Sequence, residues 1–123
     1  MRMIFSFSVL TITLFGLLST SAAQEAITPG EAFKFVGQKK VVCGSVISAH
    51  YYLHRKNQPT FLKLRPDPYH NFSIVIRGSV RGKFEEPPEK LYFGKEICVT
   101  GMIQSYLGHA EIIVKEPAQI KMR

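Results

Sequence analysis

The sequence predicts an all-β protein, a five-stranded OB-fold Greek-key barrel with a short N-terminal helix and a short helical crossover between strands 3 and 4. Three observations predict it. Short segments rich in β-branched and aromatic residues alternate with turn-forming residues. A long interval at 78–95 separates three of these segments from the last two. A glycine interrupts the first and the fourth segment, which permits the bends that a small closed barrel needs.

Residues 1–23 have the pattern of an export signal. Arg2 precedes an uncharged, largely apolar run over 4–18, and small residues follow up to Ala23. This run is shorter than the about 20 apolar residues that usually span a bilayer. We therefore expect cleavage after Ala23 and a periplasmic or secreted protein, with an uncleaved membrane anchor as the alternative.

Cleavage would leave residues 24–123, which is 123 − 23 = 100 residues and forms one small OB-fold domain with a modest core. Only Arg2 of the 16 Lys and Arg residues is lost, and all nine acids remain, so the net charge becomes 15 − 9 = +6. A cationic surplus favours acidic partners, and it equally favours plain solubility.

Cys43 and Cys98 form an even pair, which in an exported small domain predicts a disulfide. Two buried free thiols are the alternative. A bond would close a loop of about 55 residues and stabilise the fold by about 4 kcal/mol in the chain-entropy model. Two cysteines alone do not make a structural zinc site.

The segment 28–36 carries the start signals of a short helix. Thr28 is placed as the N-cap, Pro29 at the first position, and Glu31 is able to reach back three residues. Gly37 is expected to end the helix. We expect the helix to cap the core through an apolar stripe formed by Ala32, Phe33 and Phe35 or Val36.

Five segments are predicted as strands: 41–47, 61–64, 72–76, 97–103 and 110–114. The interval between the third and the fourth is too long for a hairpin loop. It holds several apolar residues, and Pro87 and Pro88 exclude one long helix, so a short helical turn covering the core is expected there.

Glycines mark the first and fourth strands at matching places. Gly44 and Gly101 each stand between β-branched residues, and each is expected at a bend or bulge. The two strands are neighbours in an OB barrel. Counted from these glycines, Cys43 and Cys98 point to the same side of their strands, which permits a cross-strand bond.

These segments resemble bacterial OB-fold domains of the tRNA-anticodon-binding-like family, which are found exported alone or beside nuclease domains. The resemblance covers most of residues 24–123 and implies an OB fold and nucleic-acid binding. This chain departs from the family pattern at Asn57, at 63–65 and at Arg77. The segments that carry the resemblance are Glu31-Ala32, Val36-Gly37, Val42-Cys43-Gly44 with Val46, Pro59-Thr60-Phe61-Leu62 with Leu64, Phe72 with Val75-Ile76, Tyr92, Gly94-Lys95 through Gly101, Ile103, Tyr106, Gly108, Pro117 and Gln119-Ile120.

Alternation along the second and third strands predicts one buried and one outward face. The buried set is Thr60, Leu62, Leu64, Phe72, Ile74 and Ile76, and the outward set is Phe61, Lys63, Arg65, Ser73, Val75 and Arg77.

OB barrels bind single strands across these two strands and the loops that flank them. The predicted nucleic-acid-binding residues are Phe61, Lys63, Arg65, Arg77, Tyr52, Arg55, Lys56 and Tyr106, with Tyr51 and His109 as extensions. Phe61 would stack on a base while the cations contact phosphates.

Other interpretations remain open for this face. Phe61 would instead lie under the N-terminal helix, or the cations would only solvate and protect a sheet surface. The same face would alternatively bind a protein, an envelope component, a nuclease partner or a small ligand in the periplasm.

No cofactor, metal or catalytic site is predicted. His50 and His54 would lie about 13 Å apart on a strand, too far for one ion. Asp67 is the only aspartate and stands between two prolines, and Glu85, Glu86 and Glu89 are explained by solvation. The sequence contains no nucleophile elbow and no phosphate-cradling glycine loop. We therefore expect a binding module and not an enzyme.

Overall fold

The computed structural model describes Ser8 and residues 25–123. The predicted export signal and its cleavage site lie outside the described residues, apart from Ser8. Among the helices that are described, none combines the length and the apolar character needed to cross a membrane.

Five strands close into a barrel: β1 (Lys39–Tyr51), β2 (Thr60–Arg65), β3 (Phe72–Ile76), β4 (Glu96–Tyr106) and β5 (His109–Val114). Their order is β1-β2-β3-β5-β4, and β1 also pairs with β4. The β3–β5 pair is parallel and the other pairs are antiparallel. This confirms the predicted OB fold, and every predicted strand lies within an observed one.

A sixth strand, β6 (Ile120–Met122), was not predicted. It pairs with residues 97–99 in the N-terminal part of β4 and follows a 3₁₀ turn at Pro117–Gln119. Its three residues are too few to show alternation. Ile120 nevertheless packs into the core, and the Gln119 side chain donates to the Thr100 carbonyl at 3.0 Å.

The N-terminal helix is a 3₁₀ helix over Pro29–Phe35. Glu31 fixes its start, because its Oε1 accepts from the Thr28 hydroxyl at 2.7 Å and from the Thr28 N–H at 3.3 Å. These hydrogen bonds lower the pKa of the Glu31 carboxyl. The chain leaves the helix at Gly37, whose φ of 89° suits glycine, as predicted.

The predicted apolar stripe of this helix is only half right. A 3₁₀ helix has three residues per turn, so residues 32 and 35 share one face. Ala32 is fully buried and Phe35 packs against the core. Phe33 and Val36 share another face and remain 53% and 45% exposed. The capping role predicted for Phe33 is therefore wrong, and of the alternatives Phe35 and Val36 it is Phe35 that contacts the core.

Two short helices, α1 (Gly78–Arg81) and α2 (Pro88–Tyr92), form the crossover. Pro87 precedes α2 and Pro88 begins it, so no single long helix forms across the crossover, as expected. Phe84 and Tyr92 meet edge to face at 6.0 Å between ring centroids and are both buried. The crossover therefore closes one end of the core.

Gly44 and Gly101 are required by close approach more than by bends. A Cβ at Gly44 would lie 2.5 Å from the Arg65 carbonyl oxygen, and one at Gly101 would lie 2.6 Å from Ile112 Cγ2. The register irregularity of β1 falls further along, between Val46 and Ser48. The expected bulge is therefore present in β1 but not at its glycine.

A disulfide joins Cys43 to Cys98, as the cysteine count predicted. The two residues are direct partners in the β1–β4 ladder. The bond therefore crosses the seam at which the first and fourth strands close the barrel.

Gly44→Ala is expected to lower the free energy of unfolding by about 2 kcal/mol, because the added methyl group meets a backbone oxygen that cannot move independently of β2. Urea denaturation measures the change. Gly82→Ala is the matched control, since a Cβ there meets nothing within 4 Å and its φ of −69° suits alanine. Equal stability of the two variants would contradict the close packing of β1 against β2.

Replacing both Cys43 and Cys98 by alanine is expected to lower the free energy of unfolding by about 2–4 kcal/mol, because the unfolded chain gains the freedom of an open loop. Urea denaturation with and without a reductant measures this loss. The reductant should reproduce the loss in the wild type and leave the double variant unchanged.

Candidate functional site

The register of the strands places an apolar row across the outer face of the barrel. Phe61 on β2 lies opposite Val75 on β3, and Val75 lies beside Ile113 on β5. We call Phe61, Val75 and Ile113 the apolar row. His50 on β1 lies opposite Phe61 and extends the row at its open end.

A polar row runs beside the apolar row, two residues along each strand. Ser48 pairs with Lys63, Ser73 pairs with Glu111, and Glu111 pairs with Gln104. We call these five residues the polar row. It begins with a serine on β1 and a cationic side chain on β2, and it ends with a carboxylate on β5 and an amide on β4.

Two grooves lie on this face and share Phe61 as a common wall. The first, of about 310 Å³, is called the Glu111 groove and is lined by Lys56, Asn57, Pro59, Phe61, Val75, Arg77, Gln104, Ser105, Tyr106, Glu111 and Ile113. The second, of about 260 Å³, is called the Lys63 groove and is lined by Ser48, His50, Tyr52, Arg55, Phe61, Lys63 and Ser73.

Phe61 stands on the outer face and not beneath the N-terminal helix. Alternation along β2 buries Thr60, Leu62 and Leu64 and turns Phe61 outward, as predicted. Its ring is half-buried because Tyr52 packs against it edge on, with 5.6 Å between ring centroids. Both grooves therefore have an aromatic wall at a fixed position.

Tyr52 also holds the first of the predicted cations. The Arg55 guanidinium lies over the Tyr52 ring, with 3.9 Å from Cζ to the centroid. Stacking of this kind leaves the donors at the rim of the guanidinium free to contact an anion. Arg55, Tyr52 and Phe61 thus form one continuous surface along the Lys63 groove.

Lys63 is held inside its groove by two neighbours. Its Nζ donates to the Phe72 carbonyl at 3.3 Å. Partial burial lowers the pKa of the Lys63 amine, and the nearby charge of Asp67 opposes this effect. Its ammonium is therefore oriented toward β3, whose Ser73 lines the same groove.

The loop between β1 and β2 brings Lys56 and Asn57 over the Glu111 groove. Asn57 and Gln58 both have positive φ, at 66° and 44°. The Asn57 carbonyl accepts from the Gly78 N–H at 2.8 Å, which fixes the loop to the end of β3. The loop is thus attached to the first residue of α1, directly after Arg77.

Seven of the eight predicted site residues line the two grooves, and Arg65 does not. Arg65 ends β2 and pairs with Ser45, before the register irregularity of β1. Its side chain lines a separate hollow with Glu96 and Arg123. Arg65 therefore lies on the other side of this irregularity from Lys63, and it is not brought near Phe61.

The two suggested extensions of the site also lie elsewhere. Tyr51 faces the crossover, where Arg81 lies over its ring at 3.7 Å and donates to Glu89 at 2.7 Å. His109 pairs with Tyr106 in the β4–β5 ladder but does not line either groove. Tyr106 itself is 62% exposed at the rim of the Glu111 groove.

Apart from Tyr106, sequence reasoning missed the residues that β4 and β5 contribute to the grooves. Glu111 and Gln104 alternate with buried residues, so the same rule that was applied to β2 would have placed them outward. Ser73 and Val75 were predicted on the outer face, where they do line the grooves, but they are only 8% and 7% exposed. They form the floor, because neighbouring side chains cover them.

Glu111 is the carboxylate of the groove floor. Within residues 25–123 no hydrogen bond joins its side chain to another group, and Arg77 is its charged neighbour. Partial burial raises the pKa of the Glu111 carboxyl, and Arg77 opposes this rise. A half-buried acceptor therefore faces the groove in a site otherwise surrounded by cations.

No protein-family model and no curated protein matches the chain. Among solved structures, the chain is similar over 83% of its length to 22% of the aspartyl-tRNA synthetase from Entamoeba histolytica, with a TM-score of 0.61 and 14% identity. It is also similar over 85% of its length to 22% of a protein assigned as an aspartyl-tRNA synthetase from Leishmania major Friedlin, with a TM-score of 0.50 and 13% identity. The chain thus spans about a fifth of each protein, and at these identities the similarity concerns the fold.

Glu111→Gln is expected to raise the free energy of unfolding at pH 7, by no more than about 1 kcal/mol because solvent screens this partly exposed carboxyl. A carboxyl whose pKa is raised by folding stabilises the folded state fully below its unfolded pKa of about 4.3, and it loses that contribution as pH rises through the folded pKa. The gain should therefore vanish at acidic pH, as urea denaturation at several pH values measures.

Glu89→Gln is the matched control with the opposite sign. Hydrogen bonds from Arg81 lower the pKa of the Glu89 carboxyl, so its stabilisation is present at neutral pH and lost as pH falls through the folded pKa. A gain for Glu111→Gln that persists at acidic pH would contradict the role given to burial.

Proposed function

We propose that this chain is an exported OB-fold module that binds single-stranded nucleic acid, or another polyanion, without turning it over. The bound nucleic-acid strand lies across the outer face of β2, β3 and β5. The observation that carries the proposal is the shared aromatic wall: Phe61 stands between two grooves, and cations flank both.

Stacking is supported by the position of the rings. Phe61 rises beside a floor of Val75 and Ile113, and Tyr52 braces it from the side. A base that lies on this surface loses apolar area to the ring on one face. Such stacking is worth about 1–3 kcal/mol per base and tolerates any base, since every base has a π-face.

Phosphate binding is supported by the charge of the two grooves. Arg55 and Lys63 line one groove, Lys56 and Arg77 line the other, and Glu111 is the acid among the lining residues. These side chains lie on both sides of the aromatic wall. A backbone that passes over Phe61 would meet a cation before and after the stacked base.

The fold adds support of a general kind. A barrel of similar fold is found within an aspartyl-tRNA synthetase, whose name includes its nucleic-acid substrate. OB folds commonly bind oligonucleotides across the face that carries Phe61 here. Fold alone does not imply function, so the proposal rests on the grooves.

Export is supported by the Cys43–Cys98 disulfide, because such bonds persist in oxidising compartments. A periplasmic or secreted location would bring the module into contact with nucleic acid during uptake, scavenging or the work of a secreted nuclease. A protein or envelope partner on the same face is the alternative, and the binding experiment separates the two.

Fluorescence anisotropy with a labelled single-stranded DNA tests the proposal at about 50 mM and about 200 mM salt. Phe61→Ala is expected to weaken binding by about tenfold at both salt concentrations, since stacking is largely independent of salt. Lys56→Ala is expected to weaken binding mainly at low salt and to lower the salt slope by about one unit.

Phe33→Ala is the matched control, because Phe33 is an exposed aromatic on the N-terminal helix and lines neither groove. It should leave the affinity unchanged. Absence of binding at low salt would overturn the nucleic-acid proposal and favour the protein alternative.

A further inference from the structure

We propose that the Glu111 groove selects bases that carry an exocyclic amino group, and that the Glu111 carboxylate is the group that selects them. This inference rests on the proposed function and adds base preference to it. The Glu111 groove takes the base, and the Lys63 groove takes the sugar-phosphate that adjoins it.

A base that stacks on Phe61 lies beside the polar row. The apolar row and the polar row run side by side across the same strands, so a ring that stacks on Phe61 over Val75 presents an edge to the polar row. On this side of Phe61 the polar row consists of Glu111 with its cross-strand partner Gln104. Cross-strand partners have Cβ atoms about 5 Å apart, which places both side chains within reach of one base edge.

The Glu111 carboxylate distinguishes bases by the hydrogen-bonding groups on the edge that faces it. An ionised carboxylate only accepts hydrogen bonds, and a carboxylate that faces cytosine accepts from its N4 amino group. Uracil and thymine have an acceptor oxygen at that position, so they would place two acceptors in contact. Gln104 both donates and accepts, and it therefore fits either base.

The charges of the two grooves determine which part of a nucleotide lies in each. Like charge keeps a phosphate away from Glu111, whereas Lys63 and Arg55 stand on the other side of Phe61. Serine hydroxyls from Ser48 and Ser73 line the same groove and suit a phosphate or a sugar oxygen. The distribution of charge along the polar row thus assigns the two parts of a nucleotide to different grooves.

The charge state of Glu111 depends on its burial and on its cationic neighbour. Arg77 lies close enough to stabilise the ionised carboxyl, and it belongs to the same groove. Lys56 lines that groove as well, while Glu111 is its only acid among the lining residues. Burial raises the pKa of the Glu111 carboxyl, and Arg77 opposes this rise and so favours the ionised, accepting form that the selection needs.

The test compares labelled single strands of deoxycytidine and deoxyuridine. The two bases carry an amino or an oxo group at position 4 and an acceptor nitrogen or an N–H at position 3. The wild-type protein is expected to bind the cytosine strand about tenfold more tightly. In Glu111→Gln the ratio should fall below about twofold, because a side-chain amide both donates and accepts. The uracil strand should bind this variant more tightly than it binds the wild type, because the repulsive charge is gone.

Glu116→Gln is the matched control. Its carboxylate is exposed, pairs with Lys83 at 3.0 Å and lines neither groove, so the cytosine preference should persist. Circular dichroism establishes that each variant is folded.

Equal affinity of the wild type for both strands would overturn the inference, and so would a preference that survives in Glu111→Gln. In that case Phe61→Ala should still weaken the binding of both strands, and the proposed function would remain without the base preference. If neither strand binds at low salt, the proposed function and this inference fail together.

Discussion

The pairing of β1 with β4 is the constraint on which the rest of the structure depends. It closes the barrel, and it does so over a ladder that runs from Lys39 to Ser45. The disulfide lies within this ladder, and Gly44 follows it where β1 approaches β2 so closely that no side chain fits. An open sheet would leave the apolar inner faces of all five strands in contact with water, so closure and core formation are one event.

Closure also determines what the outer face presents. Beyond Ser45, β1 leaves β4 and pairs with β2, which brings His50 opposite Phe61 and Ser48 opposite Lys63. The parallel β3–β5 pair then adds side chains that are 38 residues distant in sequence from their partners, as 111 − 73 shows for Ser73 and Glu111. The two rows of the face are therefore products of the closed register and not of any one segment.

The face combines features that oppose one another energetically. Four cations and an aromatic wall suit a polyanion, whereas a half-buried carboxylate repels one and is itself destabilised by burial. A site that only needed affinity would gain by losing that carboxylate. Its presence beside Arg77 is consistent with a role in discrimination, because specificity depends on which contacts are unfavourable as well as on which are favourable.

The sequence by itself determined the fold class, the five barrel strands, the disulfide pair and the outward position of Phe61, because strand alternation and turn chemistry are local properties. It misplaced Phe33, since with three residues per turn only residues 32 and 35 of the N-terminal helix share the face that meets the core. Only the tertiary structure decided that Arg65 leaves the site and that Glu111 joins it. The reason is physical: these placements depend on which strands become neighbours when the barrel closes, and pairing between residues distant in sequence leaves no local signal.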